Sequence, residues 1–307
     1  MTLSDAATEW LRGARDGTIR NRSGDPYKPS AVRAYKQQLE RRVLPALGGR
    51  RLADVRRSDV QDLGDKLVAA GLAPSTVQCS ILPLRAIYRR AVARGEIAVN
   101  PTSGIEVPAV RGGRDRIASP QEARQLLDAL SVEDRPLWAT AMYAGLRLGE
   151  LQALKWENVD LDAGTIRVEQ GWDRVENRAI DPKSRVGRRR IPIASVLRSL
   201  LLEHRLRCGR RDGLVFGRTA VDPFTPTALY QRAKKAWQAA ELDPITLHQC
   251  RHTAASLMIA AGLNAKALSE YMGHSSIQVT FDKYGHLMPG YLDEAAQMLD
   301  AFLSASA

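Results

Sequence analysis

The sequence predicts a two-domain, mainly α-helical protein with a small antiparallel β-sheet in its second domain, on three observations. The chain has 307 residues, more than one domain usually holds and enough for two separate cores. Apolar residues recur at helical spacing through most of it, and only two short runs, 165–170 and 188–193, read as strands. Between residues 101 and 118 the periodicity gives way to PTSGIEVPAVRGGRDRIA, a Pro-, Gly- and Arg-rich stretch of linker composition. We expect a helical first domain over residues 1–110, a linker over 111–118 with the boundary near 112, and a second domain over 119–307.

In the first domain, Val32, Tyr35, Leu39 and Val43 fall near helical spacing with Arg33, Lys36, Arg41 and Arg42 around them, and Gly48-Gly49 ends that helix. A second helix fits Arg57 to Ala70, capped by Ser58 and closed by Gly71, and a third fits Pro74 to Arg94, stopped by Gly95. The second domain opens with Ser119 as N-cap, Pro120 at the first helical position and Glu122 at the third. Another helix runs through RPLWATAMYA to Gly145, with Trp138, and later Trp156, expected in the core. TIRVEQ and RRRIPI follow as strands of a hairpin region, and from Thr225 onward the chain reads as helical again.

Charge and composition narrow the function. No stretch approaches the roughly 18 apolar residues of a membrane span, and the N-terminus lacks the basic and apolar regions of a leader, so a cytoplasmic, membrane-free protein is expected. Cys79, Cys208 and Cys250 lack metal or redox spacing and imply no disulfide framework. The formal charge is +11, and residues 1–116 hold 21 basic against 12 acidic side chains, a balance that attracts polyanions. Charge alone leaves a solvated surface as the alternative. Lys28, Arg33, Lys36, Arg89 and Arg90 are the candidates for phosphate-backbone contacts in the first domain.

The chemistry sits in the second domain. PITLHQCRHTAASLMIAAG reads as a helix capped by Thr246 and ended by Gly262, with His248 and Arg251 at i and i+3 on one face. His248 and His252 also have the i, i+4 spacing of a zinc pair, but Gln249 stands where a metalloprotease has Glu and no third ligand is evident, so no metal is expected. Arg147 follows the helix stop at Gly145, Lys183 lies in the turn leading to a strand, His274 follows another helix stop, and Tyr284 comes ten residues later. Six polar groups thus gather at five element ends, where side chains can share a cleft.

With these residues in place the sequence resembles the tyrosine recombinase, or phage integrase, family over nearly the whole chain. Arg147 in GLRLGE, Lys183, His248 and Arg251 in HQCR, His274 in MGH and Tyr284 in DKYGHL match the family's ordered Arg, Lys, His-x-x-Arg, His and Tyr, and Glu150 matches its acidic residue. The resemblance implies a site-specific recombinase that cleaves and rejoins DNA through a 3′-phosphotyrosyl intermediate, without a cofactor, for integration or excision of a phage or mobile element. It further implies a C-shaped two-domain DNA clamp, double-stranded recombination sites as partners, a homotetramer on paired sites, and possible help from a directionality factor or a host DNA-bending protein.

The chemistry accords with that resemblance. The charged equatorial oxygens of a phosphorane suit two forked guanidiniums, Arg147 and Arg251. Tyr284, ordinarily of pKa near 10, needs a base, and His248 is the expected acceptor of its proton. Lys183 can protonate the leaving 5′ hydroxyl and His274 can donate to the phosphate. A phosphotyrosyl bond conserves the energy of the bond it replaces, and the chain has no ATP-binding G-x-x-x-x-G-K-[ST] loop. Arg185, Arg188, Arg189 and Arg190 are expected either to clamp phosphates or to form a solvated strand edge. His204 and His286 read as surface or packing residues and His252 as support for its helix.

Two rivals use parts of the same set: a topoisomerase-like relaxing enzyme, and a non-catalytic DNA-binding relative. The small helical first domain and the MGHSS spacing disfavour the first, and the intact tyrosine and arginines the second. Only about 28 residues precede the first expected helix, fewer than an arm-binding domain needs, so either recognition of simple core sites or a short version of the arm-binding segment is expected. The tail YLDEAAQMLDAFLSASA carries an apolar stripe, Leu292, Ala295, Ala296, Leu299 and Phe302, suited to packing on a neighbouring protomer or on its own domain.

Overall fold

A computed structural model of the chain describes residues 1–109, 116–181, 187–287 and 303–304, and His286 by its backbone alone. Two compact units result, Met1–Gly113 and Arg114–Ala307. The described residues are mainly helical with a small antiparallel sheet in the second unit, as expected. None of their helices is long and apolar enough to cross a membrane.

The first unit begins with a helix not among those expected, although its apolar residues recur at helical spacing, α1 (Leu3–Asp16). Its signal is local: Thr2 accepts from the Asp5 backbone N–H while the Asp5 carboxylate accepts from that of Thr2, a capping box written T-x-x-D. Its buried face, Leu3, Ala6, Ala7, Trp10 and Ala14, lies against α2 (Pro29–Gln38), with the Trp10 ring 4.9 Å from Tyr27 and 5.5 Å from Tyr35. A π-helical turn (Leu39–Val43) carries α2 into α3 (Leu44–Leu47), so the expected run to Gly48 is continuous but wider in its middle turn. α4 (Arg57–Ala69) is capped at Arg56 rather than Ser58, because the Asp59 carboxylate takes the Arg56 backbone N–H at 2.8 Å. α5 (Pro74–Ala93) completes the bundle around Leu39, Val43, Val60, Ile81, Leu84 and Tyr88.

The linker composition of residues 101–118 is partly misleading. Ile105 and Val107 pack on the first core, and Gln61 exchanges hydrogen bonds of 3.0 and 2.8 Å with the Glu106 backbone. At the other end Ala118 is buried in the second core, its N–H on the Thr253 hydroxyl.

The second unit is built around α7 (Arg135–Tyr143), which packs against α9 (Ser195–Cys208) and α11 (Leu247–Ala260). α6 (Pro120–Asp128) starts at Ser119 as the sequence predicts, and α8 (Leu148–Ala153) follows Gly145. β1 (Val159–Asp160), β2 (Thr165–Val168) and β5 (Arg189–Pro192) form an antiparallel sheet with Ile166 opposite Ile191. β3 (Gly171–Asp173) and β4 (Arg178–Ile180) make a separate hairpin. α10 (Pro226–Ala239), α12 (Ala265–Met272) and α13 (Ile277–Tyr284) complete the unit. Trp138 and Trp156 are buried, and Trp138 meets Trp237 edge to face at 4.8 Å. His204 is a packing residue, its ring between Trp156 and Phe216 and its Nε2–H donated to the Val215 carbonyl.

Candidate active site

The C-terminus of α12 organises the site. A helix ends with unpaired carbonyls and a partial negative charge, which favours cations there. Gly273 takes a left-handed turn (φ +63°), and the carbonyls of Tyr271, Met272 and Gly273 then each accept from a different arginine: Arg189 Nε at 2.7 Å, Arg251 Nη2, and Arg147 Nη2 at 2.8 Å. Arg251 also donates to the Gly145 carbonyl, joining the stop of α7 to α11.

One carboxylate unites two of these cations. Glu150, at the third position of α8, accepts from the Arg147 backbone N–H and from Arg147 Nη1, both at 2.8 Å, and from Arg189 Nη1 and Nη2 at 3.1 and 3.0 Å. Burial alone would raise its pKa, but the Arg189 bonds and then the charges of Arg147 and Arg251 outweigh it and hold the carboxyl at about 2. Burial, followed by the charge of Arg147, pushes Arg251 down to about 9, which still leaves it charged at neutral pH. Three guanidiniums against one carboxylate leave an excess of positive charge suited to a phosphate.

The rest of the set surrounds this charge. Arg147, His248 and Arg251 border one mostly apolar cavity of about 480 Å³, with Leu146, Leu148 and Tyr230 on its walls. Tyr284, the last residue of α13, is only 2% exposed and lies in a small cluster with Ala255, Ile259, Leu268 and Met272. Its ring stacks on His274 with centroids 6.3 Å apart, and its hydroxyl is 2.8 Å from His252 Nδ1. His252 Nε2 is in turn 3.1 Å from His248 Nε2. His274 is buried, its Nδ1 2.8 Å from the Thr280 hydroxyl; burial first, then the charges of Arg251 and Arg147, push it down to about 4, so its imidazole is neutral at pH 7. When Thr280 donates to Nδ1, the proton is left on Nε2, the tautomer that can donate onward.

A family model described as the phage integrase family matches residues 117–290, more than half of the chain. The chain belongs to the phage integrase family. It is a site-specific tyrosine recombinase, an enzyme that breaks and rejoins DNA strands. It is 26% identical over 285 residues to a XerC-like tyrosine recombinase of Caldanaerobacter subterraneus, covering 83% of this chain and 73% of that one. Its fold is similar to that of the Tn1549 transposon integrase solved with transposon right-end DNA, with a TM-score of 0.79, 20% identity and coverage of 98% and 99% of the two chains. A similar fold occurs in a lambda integrase tetramer bound to a Holliday junction, with a TM-score of 0.65, 18% identity and coverage of 90% and 78%.

Of the residues this recombinase was expected to use, Arg147, Glu150, Arg251, His274 and Tyr284 cluster at the α12 end, and His248 stands at the shared cavity. Lys183 and Arg185 lie outside the described residues, as do Leu292, Ala295, Ala296, Leu299 and Phe302 of the tail. Two placements depart from expectation. His252, read as helix support, stands between Tyr284 and His248, so the phenol meets His252 and not the expected acceptor. Arg189 is neither a phosphate clamp nor part of a solvated edge: its side chain is 6% exposed and tied to Glu150. Strand alternation carries the clue, since Arg189 and Ile191 share the inward face of β5 while Arg190 and Pro192 face out. Arg188 remains at the surface, paired with Asp181 at 2.8 Å.

In the first unit, Lys28, Arg33 and Lys36 lie at the start and along α2, with Lys36 3.6 Å from Glu40. Arg89 on α5 lies near enough to Tyr35 for its charge to act on the phenol, whereas Arg90 borders a small groove with Glu9 and Glu96 on the α1 side.

Proposed function

We propose that this recombinase cleaves one DNA strand with Tyr284, holding the scissile phosphate between Arg147 and Arg251 in the second unit. The observation that carries this reading is the convergence of both arginines and Tyr284's neighbours on the end of α12. As the tyrosine oxygen bonds to phosphorus, charge grows on the non-bridging oxygens, and two fixed guanidiniums meet it with no reorganisation. Neutral His274, oriented by Thr280, donates a hydrogen bond to one of these oxygens. Lys183 serves as the proton donor to the leaving 5′ oxygen. The 5′ hydroxyl of a partner strand reverses the step and reseals the DNA.

The basic first unit acts as the core-site-binding domain, with Lys28, Arg33, Lys36, Arg89 and Arg90 on the phosphate backbone; Arg185 and Arg188 serve the same role from the second unit. The lambda relative is a tetramer on a Holliday junction and the Tn1549 relative serves a transposon. By analogy the present protein assembles as a tetramer on paired sites of a phage or other mobile element.

Covalent trapping tests the reading. With nicked, end-labelled DNA carrying the cognate core site, the protein is expected to form a denaturation-resistant 3′-linked adduct that Tyr284→Phe abolishes. Arg251→Ala should lower its rate by roughly 10²- to 10³-fold. Intact site-specific binding without any adduct in the unaltered protein would reduce the chain to a binding module.

A further inference from the structure

We propose that His252 is a catalytic residue of this enzyme, a relay that takes the Tyr284 proton and passes it through His248 to solvent. The inference rests on Tyr284 being the nucleophile. Tyr284 is 2% exposed, so water cannot take its proton directly. The phenol oxygen is 2.8 Å from His252 Nδ1, and His252 Nε2 is 3.1 Å from His248 Nε2. His252 is itself 3% exposed, whereas His248 is exposed at the cavity that Arg147 and Arg251 border. The two imidazoles are a turn apart on α11, with rings nearly perpendicular at 87° and centroids 4.6 Å apart, and they approach each other through their Nε2 atoms. Two ring nitrogens of one imidazole therefore bridge a buried donor and an exposed acceptor.

The proton balance closes without another reactant. The Tyr284 O–H breaks as its oxygen bonds to phosphorus, and the proton goes to His252 Nδ1. The His252 Nε2–H breaks in concert, and that proton goes to His248 Nε2. His252 finishes neutral in its other tautomer, and His248 finishes as an imidazolium at the solvent edge, where water can take the proton. Stopping at His252 would leave a cation on a ring that is only 3% exposed, which desolvation opposes. Passing the charge on avoids that cost. The resealing step runs the relay backwards and returns the proton to the phenol.

Single-turnover adduct formation on nicked core-site DNA, in the full-length protein, distinguishes a relay from a tether. His252→Gln keeps a hydrogen bond to the phenol but cannot accept on one atom and release from another. It is expected to slow adduct formation by roughly 10²-fold with DNA affinity and melting temperature unchanged. Site-specific 3,5-difluorotyrosine at 284, a more acidic phenol, is expected to recover at least about tenfold of that loss, because the nucleophile then needs less help to ionise. Full activity of His252→Gln, or a deficit that difluorotyrosine leaves untouched, overturns the relay and leaves His252 as packing. If His252→Gln fails to fold, His248→Gln in a His252-intact protein carries the same expectation, and a deficit there indifferent to the fluorinated phenol overturns it equally. An adduct that persists in Tyr284→Phe would instead overturn the nucleophile assignment, and the relay with it.

Discussion

At the scale of single residues, the site stores charge and neutrality side by side. His274 is held neutral with a pKa of about 4 while arginines stand around it, and Glu150 is held ionised with a pKa of about 2. Both values lie below those of the unfolded chain, near 6.5 and 4.5, so the unfolded state binds more protons and acid favours it. The contribution of His274 is complete above about 6.5 and is lost as pH falls towards 4; that of Glu150 is complete above about 4.5 and is lost towards 2. Denaturant midpoints are therefore expected to fall between pH 7.5 and 5, and His274→Gln should flatten that fall; parallel curves for both proteins would refute the assignment. The motif residues were legible because chemistry dictates their types and the resemblance to the family supplies their order. His252 was not, since its defining contact is to Tyr284, 32 residues away, and the same i, i+4 spacing had only a metal-binding meaning in one dimension.

At the scale of elements, the sequence is legible where punctuation is local. Ser119 with Pro120 and Glu122, Thr246 with Gln249, and the stops at Gly145 and Gly262 each define a helix end by bonds within a few residues. It is not legible for β1, β3 and β4, which are two or three residues long and exist by pairing rather than by pattern, nor for α9, whose exposed Val196, Leu202 and Leu206 blur the apolar stripe. The element that matters most to function is the α12 end. A Cβ at Gly273 would lie 2.9 Å from Arg189 Nη1 at a φ of +63°, so Gly273→Ala combines backbone strain with displacement of a buried guanidinium. We expect a loss of about 1–3 kcal/mol of stability together with slower adduct formation. Arg189→Met should cost more, about 3–5 kcal/mol, because it leaves Glu150 buried beside too few cations. Urea melts and adduct rates of the two variants check both values, and an Arg189→Met protein as stable as the parent would remove Arg189 from the site's framework.

At the scale of the whole molecule, charge and chemistry are divided between the units: the basic excess sits in residues 1–116 and the reactive set beyond them. If Lys36 and Arg89 contact phosphates, reversing both should reduce the slope of log affinity against log salt by about one for each phosphate no longer neutralised. The rate of adduct formation on saturated DNA should stay as it was. An unchanged slope would mark them as solvated surface. The common anchoring of Arg147, Arg189 and Arg251 also decides how this enzyme fails. A strand-breaking protein is most dangerous when half competent, able to open a phosphodiester but slow to close it. Here a frayed turn at residues 271–273 takes one anchor from each of the three cations at once, leaving Glu150 and the Gly145 carbonyl to hold them, so mutation at that turn is expected to slow strand opening as well as closing rather than to yield a nickase.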